Sequence, residues 1–417
     1  MTLTEIIGYI SLAFIILVTL LNAFQAVYLF APFFLKPKPH KPEKTHRFAI
    51  MIAARNEEKV IAHLLDSINA QDYPRELVDI FVVADNCTDR TASISAAHGA
   101  HVYERFNKEQ VGKGYALNFL LEQIRRDYGF DAFDQYMIFD ADNLLCPDYL
   151  TQMNKVCSDG FDAYCGYRNT KNLGDNWISA FHGMWYLHDS VHLNQSRMLL
   201  GTNCFVTGTG FGFTKELLKV MDGWHFFTLT EDVEFSTFCA THGYRIGYCH
   251  EAMLFDEQPT QFRLSWRQRT RWTQGGIQVT IRHAKSYFQG MAKGGRTGYA
   301  SFEATMLSMW GYVVGILAMA FGLTSTILTA GWMGIVWMAI GGIGGMYLGL
   351  LLVGMLTIIT EWHHLRATTG QKLMAMFASP MYMITYVPIA ITSIFRKFSW
   401  PPIDHTVAVS VETLTKK

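Results

Sequence analysis

Three uncharged apolar runs bracket a polar middle, and they constrain this chain more than any local motif. Ile6–Leu35 carries no charge, and neither do Thr305–Ala330 and Trp332–Thr360, which are separated by Gly331. Each is long enough to cross a hydrocarbon layer about 30 Å thick. The first run lacks the basic start and small-residue cleavage site of a secretory signal, so it reads as an anchor. Basic residues follow it in "KPKPHKPEKTHR", which places the next segment in the cytoplasm and the N-terminus outside. The loop "EWHHLRATTGQK" is basic again, as an out-and-back path requires. Residues 373–395 are interrupted by Pro380 and Pro388 and followed by Arg396 and Lys397. Positive charge on both sides predicts a re-entrant or interfacial segment. The expected organisation is an anchor over 1–40, a soluble-type segment over 41–262, an amphipathic interfacial segment over 263–300, a membrane region over 301–400 and a cytoplasmic tail over 401–417.

Composition excludes some partners. Lys plus Arg equals Asp plus Glu, at 35 each, so the basic excess expected of a nucleic-acid binder is missing. The arginine- and aromatic-rich stretch "RLSWRQRTRWTQGGIQVTIRHAK" lies just ahead of membrane runs. It reads as a surface-lying amphipathic segment rather than a single-strand binder. Seven cysteines with no C-x-x-C predict free thiols, not a disulfide frame or zinc site. "HDSVH" spaces two histidines one helical turn apart, yet lacks the glutamate that a zinc protease places after the first. Structural histidines, or ones along an acceptor path, are expected. Gly341, Gly345 and Gly349 read as a helix-packing face.

The polar middle alternates strands and helices. "RFAIMIAA" is a buried strand, and Val60, Ile61, Leu64, Leu65 and Ile68 then recur at helical spacing. "LVDIFVVAD", "HVYER" and "QYMIFD" are further strands, with "TASISAAHGA" and "GYALNFLLEQIRRDY" as helices between them. This order predicts βαβ units and a mainly parallel sheet with helices on both faces. Reactive groups of such sheets gather at the carboxyl ends of the strands. Arg55, Asn56 and Glu57 leave the first strand, Asp85 and Asn86 the second, and Asp140 and Asp142 the fourth. In an extended chain Asp140 and Asp142 point to the same side, and two crowded carboxylates favour a shared proton or a hard cation such as Mg2+ or Mn2+. No phosphate-cradling P-loop or G-x-G-x-x-G follows the first strand, so a metal is expected to meet the charge of a diphosphate.

In this order, "MIAARNEE", "VVADNCTDRT", "GKGYALN", "FDADN", "LTEDVEFS" and "RQRTRW" resemble the membrane-embedded family 2 glycosyltransferases. That family includes the cellulose, hyaluronan and poly-N-acetylglucosamine synthases. The resemblance runs from about residue 45 to 275 and implies an α/β GT-A-type nucleotide-sugar-binding domain with transmembrane and interfacial helices. It implies that Glu57 and Asp85 hold uridine and ribose and that Lys113 lies along the nucleotide-sugar. Asp140 and Asp142 would bind it directly and through Mg2+ or Mn2+. Asp232 would be the general base, with Glu231 and Arg271 beside it, and Gln268, Arg271 and Trp272 of the Q-x-x-R-W element would close the site. An attacking hydroxyl needs such a base within hydrogen-bond reach. At a helix start Asp232 would accept backbone N–H bonds and stay ionised, while Arg271 and the cation would stabilise the leaving diphosphate. Trp272 offers a flat face to a sugar ring. The stretch "NCFVTGTGFGF" occupies the place of the family's acceptor-contacting loop, but its wording departs from the cellulose-type and hyaluronan-type loops.

One base and no separate nucleophile imply inversion and a β-linked product. The implied partners are a UDP-sugar, a carbohydrate or lipid-linked acceptor, the lipid bilayer and an accessory membrane subunit that the sequence does not specify; nucleic acid is not among them. Expected is a multi-pass enzyme of the cell membrane with a cytoplasmic catalytic domain that extends a polysaccharide processively. Its rival is a non-processive enzyme that adds one sugar to a lipid. A nucleotide-sensing transporter or receptor is a more distant reading. It predicts binding without turnover, and no internal charge marks an ion path in the apolar runs.

Overall fold

The computed structural model describes residues 2–41, 43–365 and 367–395; the expected tail 401–417, with Arg396 and Lys397, lies outside them. Among the described residues eight strands form one sheet: β1 Phe48–Ala54, β2 Val78–Asp85, β3 His101–Arg105, β4 Gln135–Asp140, β5 Leu144–Leu145, β6 Ala163–Thr170, β7 Phe211–Thr214 and β8 Ile246–Asp256. Their spatial order is β3-β2-β1-β4-β7-β6-β8-β5. β3, β2, β1 and β4 pair in parallel, β7 runs against both β4 and β6, β8 is parallel to β6, and β5 is antiparallel to β8. All strands except β5 and β7 therefore point the same way, and their carboxyl ends share one margin. The α/β class and its mostly parallel sheet follow the sequence reading.

Alternation along the strands explains why both faces are covered. Ala49 and Met51 of β1 join one buried cluster with Tyr136 and Ile138 of β4 and with Leu117, Leu120 and Ile124 of the helix Lys113–Tyr128. Phe48, Ile50 and Ile52 face the other way, against Ile61, Leu64, Leu65 and Ile68 of the helix Ile61–Asn69. Strands buried on both sides read as continuous apolar runs, which is how β1 and β4 read. Where β1 and β2 leave the sheet, Asn56 and Asn86 turn the chain with φ of 58° and 53°, a region that asparagine tolerates better than most residues. Each side chain fixes its turn: Asn56 Oδ1 accepts from Thr88 N at 2.8 Å and Asn86 Oδ1 from Asn107 N at 3.0 Å.

Among the described residues three helices are long and apolar enough to cross a membrane: Leu3–Phe34, Val313–Glu361 and Thr369–Ser393. A straight helix of 49 residues would span about 74 Å, far more than one bilayer. It is not straight. Gly331 adopts φ 59°, ψ −156°, and Thr326 Oγ1 lies 3.4 Å from Met338 Sδ, although twelve helical residues cover about 18 Å. The segment is a hairpin closed at Gly331. The last apolar segment is likewise broken, at Thr385, into Thr369–Ile384 and Tyr386–Phe395. The glycine packing face is corrected: a Cβ at Gly341, Gly345 or Gly349 would meet nothing within 4 Å. These positions turn outward from the hairpin.

The N-terminal helix is tied to the sheet domain by a buried polar cluster. Tyr28 Oη donates to Glu303 Oε2 at 2.9 Å, and Arg197 Nε donates to Glu303 Oε1 at 2.6 Å. Arg197 is 1% exposed and Glu303 0%. Ser196 Oγ and His192 Nδ1 add bonds to the carbonyls of Tyr28 and Leu29.

Candidate active site

The strand exits open into one cavity of about 1140 Å³. Glu57, Asp85, Lys113, Asp140, Asp142, Glu231, Asp232, Gln268, Arg271 and Trp272 all line it. Residues up to 215 positions apart thus meet at one sheet margin.

Asp140 is the last residue of β4, held by hydrogen bonds from its N–H to Thr209 Oγ1 at 2.9 Å and Asn143 Oδ1 at 3.1 Å. The extended geometry expected for Asp140 and Asp142 is corrected. Asn143 N donates to Asp140 O at 3.1 Å, so the strand stops at Asp140 and Asp142 sits inside a β-turn, where aspartate and asparagine are favoured. Its Oδ2 accepts from Glu257 N at 3.1 Å. Turn chemistry and cavity placement coexist in this residue.

Lys113 begins its helix and reaches across the margin. Its Nζ donates to Asp140 Oδ1 at 2.5 Å and Gly208 O at 2.6 Å, and lies 3.9 Å from Glu231 Oε1. Burial opposes its charge, but Asp140 and Glu231 outweigh that and hold the ammonium above the ordinary lysine range. Its neighbour Gly114 permits the approach, since a Cβ there would fall 2.1 Å from Phe226 O. Asp85 is bonded by Arg105 Nη1 at 2.6 Å and Asn86 Nδ2 at 3.0 Å, both on Oδ1. Glu57 is fixed at its backbone, where its N–H donates to Thr91 Oγ1 at 2.8 Å.

The helix Glu231–His242 delivers two acids. Burial pushes the Glu231 carboxyl well above the usual carboxylate range, and Asp232 adds to this against the pull of Lys113 and Arg271. The backbone bonds expected for Asp232 are not made, and its carboxylate accepts no hydrogen bond among the described residues. Asp232 occupies the second helical position, whereas the N-cap residue is the one placed to reach the free N–H groups. Its carboxylate faces the cavity instead. A Cβ on Gly208, which has φ 75°, would lie 3.8 Å from Asp232 Oδ2 and 3.6 Å from Arg168 Nη1, so acid and guanidinium both flank this glycine.

The helix Phe262–Arg282 closes the other side. Arg271 Nη1 donates to Leu229 O at 3.1 Å. Trp272 meets Tyr186 and His182 edge-on, at 6.3 and 5.7 Å between ring centroids. Gln268 Oε1, Thr230 Oγ1 and Arg55 Nε are buried without a hydrogen-bond partner among the described residues, and all three residues line the cavity. Buried polar atoms are nearly always bonded, so such orphans mark where a polar ligand completes the network.

Sequence reasoning missed Arg168 and Asp256. Arg168 Nε donates to Asp256 Oδ2 at 2.6 Å and Nη1 to Thr207 O at 2.7 Å, and the guanidinium stacks 3.6 Å from the Tyr186 centroid. Burial pushes Asp256 up to about 6 against the pull of Arg168, with Asp142 adding to the rise. Asp256 ends β8 as Asp85 ends β2, so the same strand-exit rule would have found it. An arginine inside the apolar strand "AYCGYRNT" was the other signal. From the glycine-rich stretch, Phe205, Val206, Thr207 and Gly208 line the cavity.

Among the described residues no group of three or more His, Cys, Asp or Glu side chains could hold a metal ion alone. Asp140 and Asp142 offer two hard oxygen donors, the number that Mg2+ takes when substrate phosphates and water complete its shell. The donor set fits Mg2+ or Mn2+ bound jointly with a diphosphate.

A sheet of this topology with an acidic cavity at its strand exits is a GT-A-type α/β fold, and the described residues add apolar helices of membrane-spanning length. Residues 46–275 match glycosyltransferase like family 2, more than half of the chain, and the chain belongs to that family. It is 28% identical over 235 residues to a β-monoglucosyldiacylglycerol synthase of Synechocystis, covering 55% of this chain and 47% of that protein. It is 25% identical over 261 residues to the poly-β-1,6-N-acetyl-D-glucosamine synthase of Staphylococcus epidermidis, covering 60% and 61%. The chain thus spans about half to three-fifths of the length of these relatives. The mannosyltransferase PcManGT from Pyrobaculum calidifontis, solved with GDP-Man and Mn2+, matches 93% of this chain and 99% of its own at TM-score 0.57 and 17% identity. That likeness concerns the fold.

Proposed function

We propose that the protein transfers a sugar from a nucleotide diphosphate sugar, with a UDP-sugar as the first candidate, to a hydroxyl of a membrane lipid. The observation that carries this reading is the continuity of one cavity from the acidic margin to an aliphatic end. That end is lined by Leu307, Ile316, Met319, Val387 and Ile391, which are themselves 43–66% exposed. Ile316 and Met319 belong to one helix of membrane-spanning length and Val387 and Ile391 to another apolar segment of that kind, so this end lies among the candidate membrane helices. Aliphatic side chains favour acyl chains, whereas a sugar polymer leaving the site would want hydroxyl partners and aromatic platforms along its route. The processive reading keeps support from the Q-x-x-R-W element and from the poly-N-acetylglucosamine synthase relative.

In this reading Asp232 takes the proton of the attacking hydroxyl as its oxygen bonds to the anomeric carbon and the diphosphate departs on the opposite side. An α-linked donor gives a β-linked product. Glu57 and Asp85 sit where the nucleoside lies, while Lys113 and Arg271 meet its diphosphate. Trp272 and Tyr186 frame the sugar, and Gln268 Oε1 accepts from one of its hydroxyls. Asp140 and Asp142 hold Mg2+ or Mn2+, which supplies charge neutralisation for the leaving diphosphate. Basic residues after the first apolar helix and after the hairpin support a cytoplasmic catalytic domain and an outward-facing N-terminus.

Purified full-length protein given a panel of UDP-sugars and GDP-mannose should release nucleotide with one or two of them. A chelator should stop release, Mn2+ should restore it, and Asp142→Ala should abolish it. Release from no donor in the panel contradicts the transferase reading. Undiminished release in chelator contradicts the metal assignment alone.

A further inference from the structure

The helix Trp177–His188 runs into a seven-residue π-helical segment, Asp189–Gln195, before an α-turn resumes at Ser196. π geometry is rare and occurs mostly as single turns at functional sites. Its local result is one hydrogen bond: Asn194 Nδ2 donates to Asp189 Oδ2 at 3.2 Å. Residues five apart on an α-helix point about 140° away from each other, while widening the turn to i→i+5 brings them to one face. Asn194 is 2% exposed and clamps the segment to the glycine-rich loop. Its Oδ1 accepts from Phe205 N at 2.9 Å and Arg197 Nη1 at 3.1 Å, and its Nδ2 also donates to Phe205 O at 2.9 Å.

Asp189 is thereby aimed into the cavity, whose wall it shares with Tyr186, Arg168 and Asp232. Its other carboxylate oxygen accepts no hydrogen bond among the described residues. The arginines that act on it are engaged elsewhere, Arg168 with Asp256 and Arg197 with Glu303. Burial pushes Asp189 up to about 6, against Arg197 and Arg168 and with Asp232 adding to the rise. The Asp232 carboxylate and the second oxygen of Asp189 therefore face one volume with no hydrogen-bond donor among the described residues. An anionic headgroup is repelled there, and a group rich in hydroxyl donors is welcomed.

The geometry points to Asp189 as an acceptor-positioning residue: its carboxylate accepts a hydrogen bond from a second hydroxyl of the acceptor while Asp232 deprotonates the attacking one, which selects a neutral polyhydroxyl headgroup. This assignment rests on the transferase reading above. It also gives the π-turn a purpose, because an α-helical continuation would swing Asn194 away and leave Asp189 unfixed.

The test uses full-length protein in lipid nanodiscs with the donor that turns over. The acceptor probes are a monohexosyldiacylglycerol, its analogue lacking one ring hydroxyl, and diacylglycerol as a single-hydroxyl control. Asp189→Asn should raise the acceptor KM roughly tenfold to a hundredfold, the range set by losing one charged hydrogen bond. Nucleotide affinity should match that of the unaltered protein, and kcat should fall by a smaller factor. Asp189→Glu should recover part of the KM loss. Removing the right hydroxyl should cost the unaltered protein as much as Asp189→Asn does, with no further cost when both changes are combined. If Asp189→Asn loses nucleotide affinity through misfolding, Asp189→Ser is read in its place. An unchanged acceptor KM, or full additivity with every deoxy analogue, overturns the assignment. Absence of transfer by the unaltered protein to any probe instead defeats the underlying lipid-acceptor reading, and this assignment falls with it.

Discussion

Asp232→Asn is expected to slow sugar transfer by about 10²–10⁴-fold, the usual contribution of a positioned general base, while nucleotide affinity holds. The change keeps the side chain's shape while removing its charge and its capacity to take a proton. The Asp232 carboxylate accepts no hydrogen bond among the described residues, and it lies beside Gly208. Glu231, one residue earlier, is buried, lies 3.9 Å from Lys113 Nζ and is pushed toward its neutral form. Its contact with Lys113 suits holding the helix start in register. Single-turnover rates with bound donor, set beside nucleotide affinity, separate the two roles. If Asp232→Asn retains near-normal rates while Glu231→Gln does not, the assignments exchange.

Glu303→Ala is expected to destabilise the protein by about 3–5 kcal/mol, because it strands Arg197 as an unpaired buried charge. Glu303 links three distant parts of the chain: Tyr28 of the N-terminal helix, Arg197 beside the π-turn and its own helix Gly295–Leu307. Tyr28→Phe removes the hydrogen bond to Glu303 together with the hydroxyl contacts to Tyr299 and Thr202 and should cost about 1.5–3 kcal/mol. Replacing Arg197 and Glu303 together by Met and Leu should cost less than Glu303→Ala alone, since no charge is left uncompensated. Denaturant titration in detergent measures all three. Equal losses for the single and double changes would mean that packing, and not charge pairing, holds the junction.

Most of the fold was legible because burial on both faces leaves apolar runs, and those runs end in acids at one margin. The reasoning failed where a residue's conformation depends on non-neighbours. Asp142 looked like a strand residue because the turn that claims it is closed by Asn143 bonding back to Asp140. Asp189 was weighed only as part of a histidine pair, since a π-turn leaves no periodic mark in seven residues. The Arg197–Glu303 pair joins residues 106 positions apart, and nothing in either local sequence announces the other. Gly341, Gly345 and Gly349 fit a packing pattern, yet packing needs a partner surface, which the described residues do not supply at those positions. Asp256 was available to the strand-exit rule and was overlooked.

Product analysis tests the central claim most directly. Full-length protein in nanodiscs that contain candidate acceptor lipids is incubated with isotopically labelled donor, and the lipid extract is read by mass spectrometry. One cavity joining the acidic margin to an aliphatic mouth predicts a lipid carrying a single added sugar in β-linkage. A ladder or high polymer with no singly modified lipid would contradict it.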